Sequence, residues 1–316
     1  MPERASVPVI CIGNFTAGGA GKTPTAIALA RRLVQLGETP HFVSRGYGGH
    51  ETGPLRVDPS CHTSQDVGDE PLLLNQYGPV WVAQDRVAGA LSAETAGASV
   101  ILLDDGFQNP ALHKDLSLLV VDTGAGVGNG AVLPAGPLRE PLAAAIKRTH
   151  GLIALGSAAL PDSLTRLAHG SAVPVFTARL KPEAEAHLAG QKLLAFAGIG
   201  RPEKFFTTLQ ELGAKIIGTK PFPDHHPFTE DDAQGLLDLS AKMEAPLITT
   251  EKDMVRLRAL TGPAGVRLRD TTTVLPVSAI FDELTKLDTL LVQHLKAARA
   301  SHTYAPPGSG RDTQAH

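Results

Sequence analysis

The chain has 316 residues, of which 42% are hydrophobic and 19% are charged, and its formal net charge is −3. This composition excludes a disordered, fibrous or multi-spanning membrane protein, and the charge argues against nucleic-acid binding through bulk positive charge. The two cysteines, Cys11 and Cys61, are too few for a disulfide scaffold and lack the spacing of a zinc site, which favours a reducing, cytoplasmic setting.

A strand, a glycine-rich loop and a helix open the chain. Residues 7–12 are apolar and rich in β-branched side chains, and residues 25–36 have helical character. Further strand candidates follow at 39–44, 80–83, 100–103 and 116–122, with helical or irregular segments between them. This alternation predicts an α/β fold with a doubly wound, mostly parallel sheet.

The second half of the chain repeats the α/β pattern on a smaller scale. Residues 124–141 are rich in Gly and Pro and predict a long surface loop that carries Arg139 and Glu140. Strand candidates are 152–155, 173–178, 192–197, 215–219 and 246–249, and helix candidates are 202–212, 229–243, 251–260 and 281–299. Because a single core rarely grows beyond about 250–300 residues, we expect two domains. We place a larger domain, which carries the glycine-rich loop, at 1–182, a smaller α/β domain at 183–300 and a disordered tail at 301–316.

A glycine-rich segment joins the first strand to the first helix, which is the position of a phosphate-binding P-loop. In such a loop, backbone N–H groups and the helix N-terminus surround phosphate oxygens. The segment departs from the G-x-x-x-x-G-K-[ST] pattern at Thr16, and a chance match in a glycine-rich turn is the simpler alternative. We expect Lys22 to reach the β- and γ-phosphates of a nucleotide and Thr23 to offer its hydroxyl to Mg²⁺. The expected nucleotide-binding residues are Thr16, Ala17, Gly18, Gly19, Ala20, Gly21, Lys22, Thr23 and Pro24.

Two carboxylates follow the apolar run at residues 100–103. Asp104 and Asp105 stand where a Walker-B acid would lie beside the Mg²⁺ of a P-loop. One acid can hold the metal and the other can orient partners, and the sequence leaves open which does which. Taken alone, an Asp-Asp strand end is as well explained by a turn or a cap. Together with the phosphate loop it favours nucleotide chemistry.

The motifs taken together resemble one family. They are Gly13-Asn14 leading into Gly18-Gly19-Ala20-Gly21-Lys22-Thr23-Pro24, then Ser44-Arg45-Gly46-Tyr47-Gly48-Gly49, Val67-Gly68-Asp69-Glu70-Pro71, Asp104-Asp105-Gly106-Phe107-Gln108, Leu133-Pro134-Ala135-Gly136-Pro137-Leu138-Arg139-Glu140, Ala195-Phe196-Ala197-Gly198-Ile199, Asp224-His225-His226 and Thr250-Glu251-Lys252-Asp253. In this order they resemble the tetraacyldisaccharide 4'-kinase family, whose loop tolerates a residue other than glycine at Thr16.

The resemblance implies a reaction and its site residues. An enzyme of this family transfers the γ-phosphate of ATP, with Mg²⁺, to the 4'-hydroxyl of a tetraacylated glucosamine disaccharide 1-phosphate at the cytoplasmic face of the bacterial inner membrane. By similarity, Asp69 is the general base and His225 pairs with it across the interdomain cleft, although the sequence does not distinguish His225 from His226. The remaining expected roles are catalytic for Lys22 and Asp105, metal-binding for Thr23 and Asp104, and substrate contact for Arg45, Tyr47, Glu70, Gln108 and Arg139, with Arg86 a weaker candidate.

Two departures from the family pattern bear on these expectations. Asn109 stands where the family often has histidine, and the nearest histidine is His113, so that role is not carried over. The family usually has a membrane-associating helix before the first strand, whereas only residues 1–6 precede Val7. We expect either a shortened form or start-site choice, or peripheral contact with the bilayer through other apolar surface.

A P-loop GTPase switch or metallochaperone is the alternative, because it would share the phosphate loop and the acidic strand end. Against it, the sequence has no Asn-Lys-x-Asp guanine-specificity segment and no Cys/His metal cluster. A non-catalytic ATP-binding module is a weaker alternative. No nucleic-acid partner and no obligate protein partner are expected.

Overall fold

The structure is a computed structural model that describes residues 2–183 and 188–303. Its strands are β1 (Val9–Asn14), β2 (Pro40–Ser44), β3 (Leu55–Arg56), β4 (Val80–Val82), β5 (Val100–Asp104), β6 (Leu116–Asp122), β7 (Gly151–Leu155), β8 (Val175–Pro182), β9 (Lys192–Ala197), β10 (Lys215–Pro221), β11 (Leu247–Thr250), β12 (Thr272–Leu275) and β13 (Val277–Phe281). Its α-helices are α1 (Lys22–Gln35), α2 (Ser64–Val67), α3 (Asp69–Leu74), α4 (Arg86–Thr95), α5 (Leu142–Ala145), α6 (Asp162–Gly170), α7 (Pro202–Glu211), α8 (Glu230–Met243), α9 (Glu251–Leu257), α10 (Pro263–Thr271) and α11 (Leu284–Thr303). A 3-10 turn (Ile146–Arg148) follows α5.

The larger sheet contains nine of the described strands, in the order β13-β8-β7-β6-β1-β5-β2-β4-β3. Its strands pair in parallel except at the two edges, where β3 pairs antiparallel with β4 and β13 with β8. All six residues of the central strand β1 are buried. Such a continuous apolar run is typical of a parallel strand that is covered on both faces. The predicted mostly parallel, doubly wound sheet is confirmed.

Two apolar clusters cover the two faces of this sheet. Ile10 and Ile12 belong to one cluster, and Val9 and Cys11 belong to the other. Because successive side chains of a strand point to opposite faces, this alternation shows that β1 is packed on both sides. Leucines of α1 and α11 lie in the first cluster. The central strand is therefore buried on both faces up to the end where it leads into the phosphate loop.

A smaller parallel sheet follows, in the order β10-β9-β11-β12. Phe205 and Phe206 of α7 pack on one side of it, and Ala233 and Leu236 of α8 pack on the other. The second, smaller α/β unit that the sequence predicts is therefore present in the fold.

After the smaller sheet, the chain returns to the larger sheet. The domain boundaries expected from the sequence do not include this return. β13 pairs with β8, and Leu287, Leu291 and Leu295 of α11 belong to the same cluster as Ile10. Residues 277–300, which the sequence places in the smaller domain, thus pack with the larger one, because their apolar face completes its core. We propose that the smaller unit ends near β12.

The predicted tail begins inside a helix, since α11 continues to Thr303. The rest of the predicted tail, residues 304–316, lies outside the described residues. None of the described helices is long and apolar enough to cross a membrane.

Candidate active site

The phosphate loop runs from the end of β1 to the start of α1. Asn14, the last residue of β1, is fully buried, and its Nδ2 donates to the carbonyl oxygen of Thr16 at 2.6 Å and to that of Gly18 at 3.4 Å. Gly21 precedes α1 with φ of +84°, and a Cβ there would overlap the side chain of Leu155. Only glycine suits this position, because it combines a left-handed backbone with no room for a side chain.

One carboxylate joins two cations at the mouth of the loop. Lys22 Nζ lies 3.4 Å from Asp105 Oδ2, and the Arg139 guanidinium donates to both oxygens of Asp105 at 2.9 and 3.0 Å. Asp105 itself has φ of +50°, an uncommon conformation for a residue with a side chain. Three predicted site residues therefore meet here, and their positive charge exceeds their negative charge by one.

The glycine- and proline-rich segment 124–141 packs against the phosphate loop. Ala17 N donates to Pro137 O at 2.8 Å, and Arg139 N donates to Phe15 O at 2.8 Å. Gln108 lies at the same place, with its Nε2 3.3 Å from Asn14 O and 3.3 Å from Glu140 Oε1. Glu140, which the sequence places on this loop without a role, in turn pairs with Arg148. These contacts hold Arg139 and Gln108 beside the phosphate loop.

Asp104 is buried at the end of β5. Its Oδ2 lies 3.5 Å from Ser44 Oγ, whereas its Oδ1 has no hydrogen-bond partner among the described residues. Burial, with the neighbouring charge of Asp105, raises the pKa of Asp104 to about 7. An unpartnered buried carboxylate oxygen is suited to a cation, and Thr23, also buried, offers a hydroxyl at the start of α1.

The donor set at this place fits Mg²⁺. Among residues 2–183 and 188–303, no group of three or more His, Cys, Asp or Glu side chains is arranged to hold a metal ion. Mg²⁺ does not need such a group, because it commonly binds one or two carboxylates, substrate phosphates and several waters. Asp104 and Thr23 meet that requirement.

Asp69 begins α3 and is almost completely buried. The residue before it, Gly68, has φ of +87°, and a Cβ there would lie 2.5 Å from the carbonyl oxygen of Tyr47. A capping box between Thr63 and Asp66 fixes the preceding turn. Gly68 therefore allows the backbone to pack closely against the segment that carries Arg45 and Tyr47, and Asp69 follows directly after this contact.

Of the two adjacent histidines, His225 faces Asp69. Its Nδ1 lies 3.0 Å from Asp69 Oδ2, and its ring makes an edge contact with Tyr47 at 6.1 Å between centroids. His226 instead has its Nε2 3.1 Å from Asp232 and stacks on Phe222. The structure therefore brings together the pair Asp69 and His225 that the resemblance implies.

Two cations of α9 also reach the acids at the start of α3. Lys252 Nζ lies 2.5 Å from Glu70 Oε1, and Arg256 Nε lies 2.7 Å from Asp69 Oδ2. Burial would raise the pKa of Glu70, but the charge and hydrogen bond of Lys252 outweigh it and lower that pKa. Residues four apart lie on one face of a helix, so α9 presents both cations to α3. Lys252 and Arg256 were missed as site residues, although Lys252 lies in a segment that carries the family resemblance.

Arg45, Tyr47 and Arg86 complete the set of predicted residues. Arg45 and Tyr47 are exposed. Arg86 is buried, and its Nη1 donates to Ala83 O at 2.7 Å and to Gln84 O at 3.0 Å. Burial and the nearby charge of Arg45 lower the pKa of Arg86. Arg45 is therefore close enough to Arg86 to repel it, and no described carboxylate forms a salt bridge with either.

Arg201 of the smaller unit also contacts the phosphate loop, and this contact was not predicted from the sequence. Arg201, which precedes α7, pairs with Asp122 at the end of β6 and places its Nη2 3.4 Å from Gly19 O. Lys204 Nζ lies 3.5 Å from the same Asp122 oxygen. The segment that carries the family resemblance ends at Ile199, two residues before Arg201, so no sequence signal pointed to this contact.

Comparisons with known proteins identify one family. A family model described as Tetraacyldisaccharide-1-P 4'-kinase matches residues 1–296. The chain is 51% identical over 287 residues to the tetraacyldisaccharide 4'-kinase of Parvibaculum lavamentivorans, covering 90% of this chain and 84% of that protein. It is 52% identical over 292 residues to the enzyme of the same name from Rhodospirillum centenum, covering 92% and 84%.

A solved structure is similar over nearly the whole chain. It is LpxK from Aquifex aeolicus in complex with ATP, with a TM-score of 0.73, 27% sequence identity, and coverage of 93% of this chain and 90% of that one. None of these comparisons supports the switch-GTPase or metallochaperone alternative.

Proposed function

This chain belongs to the tetraacyldisaccharide 4'-kinase family, and we propose that it transfers the γ-phosphate of ATP to the 4'-hydroxyl of a tetraacyldisaccharide 1-phosphate in lipid A biosynthesis. In this reaction the sugar oxygen forms a bond to the γ-phosphorus, the bond from that phosphorus to the bridging oxygen breaks, and ADP leaves. The observation that supports the proposal best is the buried carboxylate of Asp69, which His225 and Arg256 hold in the same protein as a phosphate loop.

Asp69 is the proposed general base. A sugar hydroxyl is a poor nucleophile, so a carboxylate within hydrogen-bond reach must accept its proton during attack. Asp69 is fixed by two partners from the smaller unit, His225 at 3.0 Å and Arg256 at 2.7 Å. A carboxylate that is fixed in this way loses little freedom in the transition state.

Lys22 and Arg139 are the proposed stabilisers of charge on the transferred phosphoryl group. Both now face the carboxylate of Asp105. Since phosphate oxygens and carboxylate oxygens offer similar acceptors, ATP can replace Asp105 as the partner of one or both cations. Asp105 then serves to keep the two side chains extended towards the phosphate loop before the nucleotide arrives.

Asp104 and Thr23 are the residues that would hold Mg²⁺. The ion would neutralise part of the charge on the nucleotide phosphates. Asp104 contributes an oxygen that lacks a partner among the described residues, and Thr23 contributes a hydroxyl next to Lys22.

Arg45 and Tyr47 are the proposed contacts to the acceptor or the nucleotide. Both are exposed on the segment between β2 and β3, and the Tyr47 ring lies beside His225. Gln108 is held between Asn14 and Glu140 and faces the phosphate loop. Glu70 is bound to Lys252, and we propose that it acts by joining α3 to α9.

We also propose peripheral contact with the cytoplasmic face of the inner membrane. The acyl chains of the acceptor keep it in a bilayer, so the enzyme must meet its substrate at the membrane surface.

The test is transfer of label from γ-labelled ATP to purified tetraacyldisaccharide 1-phosphate in detergent micelles, with and without Mg²⁺. We expect Mg²⁺-dependent label on the lipid, its loss in Lys22→Ala, and a fall of about 10²–10⁴-fold in Asp69→Asn with ATP binding retained. Lys296→Ala, on the exposed face of α11, is the matched control and should keep the wild-type rate.

Two results would overturn the proposal. A wild-type protein that binds nucleotide but never labels the lipid is not this kinase. An Asp69→Asn variant that works at the wild-type rate would remove Asp69 from the role of base.

A further inference from the structure

Arg256 occupies an unusual position, because it is a buried cation from the smaller unit that touches the proposed base of the larger unit. Only 4% of the residue is exposed. Its Nε donates to Asp69 Oδ2 at 2.7 Å, and its Nη1 donates to Gly198 O at 2.6 Å and to Asp253 Oδ1 at 2.9 Å. We propose that Arg256 is a positioning residue that fixes the Asp69 carboxylate so that Oδ1 accepts the proton of the sugar hydroxyl. This inference rests on the proposed function, since it takes Asp69 as the base.

The two partners of Asp69 converge on a single oxygen. Arg256 Nε and His225 Nδ1 both lie within 3.0 Å of Oδ2. Among the described residues, no hydrogen bond to Oδ1 accompanies them. A carboxylate has two oxygens with separate acceptor directions, so two donors on Oδ2 stop its rotation and leave Oδ1 as the acceptor. Which oxygen faces the substrate is therefore decided by Arg256 and His225 together.

Of these two partners of Asp69, Arg256 is more deeply buried and is held by more contacts. His225 has a side chain that is 42% exposed, and its backbone φ is +57°. The Arg256 side chain is only 3% exposed and donates through Nε and Nη1, whereas its buried Nη2 has no hydrogen-bond partner among the described residues. The planar fork of arginine can contact several acceptors at once, which the single ammonium of lysine does less well.

The surroundings of Arg256 are fixed in their turn. Asp253 accepts from Gly198 N at 3.0 Å and from Thr250 Oγ1 at 2.6 Å, and Thr250 is the N-cap residue of α9. Burial raises the pKa of Asp253, although the Thr250 hydrogen bond and the Arg256 charge oppose it. If Arg256 turned away from Asp69, the buried Asp253 carboxylate would lose its cation. Leaving a buried charge unpaired destabilises the protein strongly, so this movement is disfavoured.

The experiment is a double-mutant cycle between Arg256→Met and Asp69→Asn, read out as kcat and KM for phosphate transfer to the lipid. With Asp69 present, Arg256→Met should lower kcat about a hundredfold, because a base displaced by about 1 Å loses that much. The KM values for ATP and for the lipid should change much less than kcat, because Arg256 contacts Asp69 and is proposed to act through it. With Asp69 already replaced by Asn, Arg256→Met should cause no further loss.

Two further variants separate positioning from folding. Arg256→Lys keeps the charge and should recover part of the rate. Arg32→Gln removes another arginine from a two-point ion pair, with Asp288, and should leave the rate unchanged. ATP affinity and thermal unfolding of each variant show whether the protein is folded, and if Arg256→Met does not fold, Arg256→Lys takes its place in the cycle.

The outcomes are distinct for the two proposals. Equal losses of kcat from the Arg256 replacement in the wild-type and the Asp69→Asn backgrounds would mean that Arg256 is only structural and would overturn this inference alone. Full activity of Asp69→Asn by itself would overturn the role of Asp69 as base, whatever Arg256 does.

Discussion

At the scale of single residues, the site is defined by two carboxylates, each of which is contacted by two basic side chains. Asp105 is bound by Lys22 and Arg139, and Asp69 is bound by His225 and Arg256. Asp105 keeps two cations in place near where a phosphate has to bind, whereas His225 and Arg256 keep the Asp69 carboxylate in place near where a hydroxyl has to bind. This arrangement reduces the reorganisation that the site needs when substrates arrive.

The two-point contact of Arg139 makes a prediction about nucleotide binding. Arg139→Lys keeps the charge but loses the parallel pair of hydrogen bonds, at 2.9 and 3.0 Å, and the Nε bond to Thr16 O at 3.2 Å. We expect the KM for ATP to rise about tenfold, because lysine replaces the planar fork with a single point charge. Steady-state kinetics with varied ATP measure this. Arg179→Lys changes an exposed ion pair with Asp282 and should leave KM as it is; equal KM values for both variants would contradict the prediction.

Sequence reasoning found the residues that stand inside contiguous motifs. Lys22 and Asp105 belong to short segments whose residue types suggest phosphate chemistry, whereas Asp69 was expected only through the family resemblance of its segment. Arg201 and Arg256 were missed because their partners, Asp122 and Asp69, are 79 and 187 residues away along the chain. Nothing in local spacing indicates such pairs, since they exist only after the two α/β units pack together.

At the scale of elements, glycines at positive φ shape the two loops that carry the site. Gly21 lets α1 start immediately after the phosphate loop, and Gly68 lets α3 start next to the backbone of Tyr47. Both positions combine a left-handed backbone with a close neighbour. The helices can therefore begin with Lys22 and with Asp69.

Gly68→Ala is expected to damage both stability and catalysis. Its Cβ would lie 2.5 Å from the Tyr47 carbonyl oxygen, in addition to the strain of φ +87°. Gly97→Ala is the matched control, because Gly97 has φ of +90° and open space around it, and it should cost only the backbone strain of about 1–2 kcal/mol. Urea unfolding and kcat should show a clearly larger loss for Gly68→Ala in both quantities. Equal losses in the two variants would show that the contact with Tyr47 is unimportant.

The longer strands were largely predictable, whereas the short strands β3, β12 and β13 were not. The strands that became β1, β6 and β9 are continuous apolar runs, and the structure contains them at nearly the predicted positions. β13 was not predicted, because it is only five residues long and includes the polar residue Ser278. Its place in the larger sheet depends on pairing with β8, which local sequence does not reveal.

At the scale of the whole molecule, the two α/β units meet through charges. Arg201 and Lys204 reach Asp122, Lys252 reaches Glu70, and Arg256 reaches Asp69. In each of these pairs the smaller unit supplies the cation and the larger unit supplies the acid. Contacts of this kind depend on pH and ionic strength more than an apolar interface does.

Asp122 allows this dependence to be measured. Burial would raise the pKa of Asp122, but the hydrogen bond from Arg201 and the charge of Lys204 outweigh it and lower that pKa. The contribution to stability is therefore complete above the ordinary aspartate value of about 3.9 and is lost as pH falls through the lower value of the folded state.

Asp122→Asn should remove this contribution. We expect the variant to be less stable than the wild type by about 1 kcal/mol at pH 7 and to approach it near pH 3, as measured by urea unfolding at each pH. Asp270→Asn, at an exposed position in α10, should differ little from the wild type at either pH. If the difference in free energy of unfolding between Asp122→Asn and the wild type stayed constant from pH 7 to pH 3, the proposed role of the Asp122 charge would be contradicted.

The side-by-side placement of β8 and β13 has a consequence for protein engineering. The chain leaves the larger sheet along β8 and comes back along β13, with Val277 directly opposite Pro182. The smaller unit is thus an insertion between two neighbouring strand ends, which a two-residue turn could join into a hairpin. A chain cut after residue 182 would lose β13 and the three core leucines of α11, whereas one in which residues 183–276 are replaced by such a turn would keep them. We therefore expect the spliced chain, and not the N-terminal fragment, to fold as an isolated larger unit.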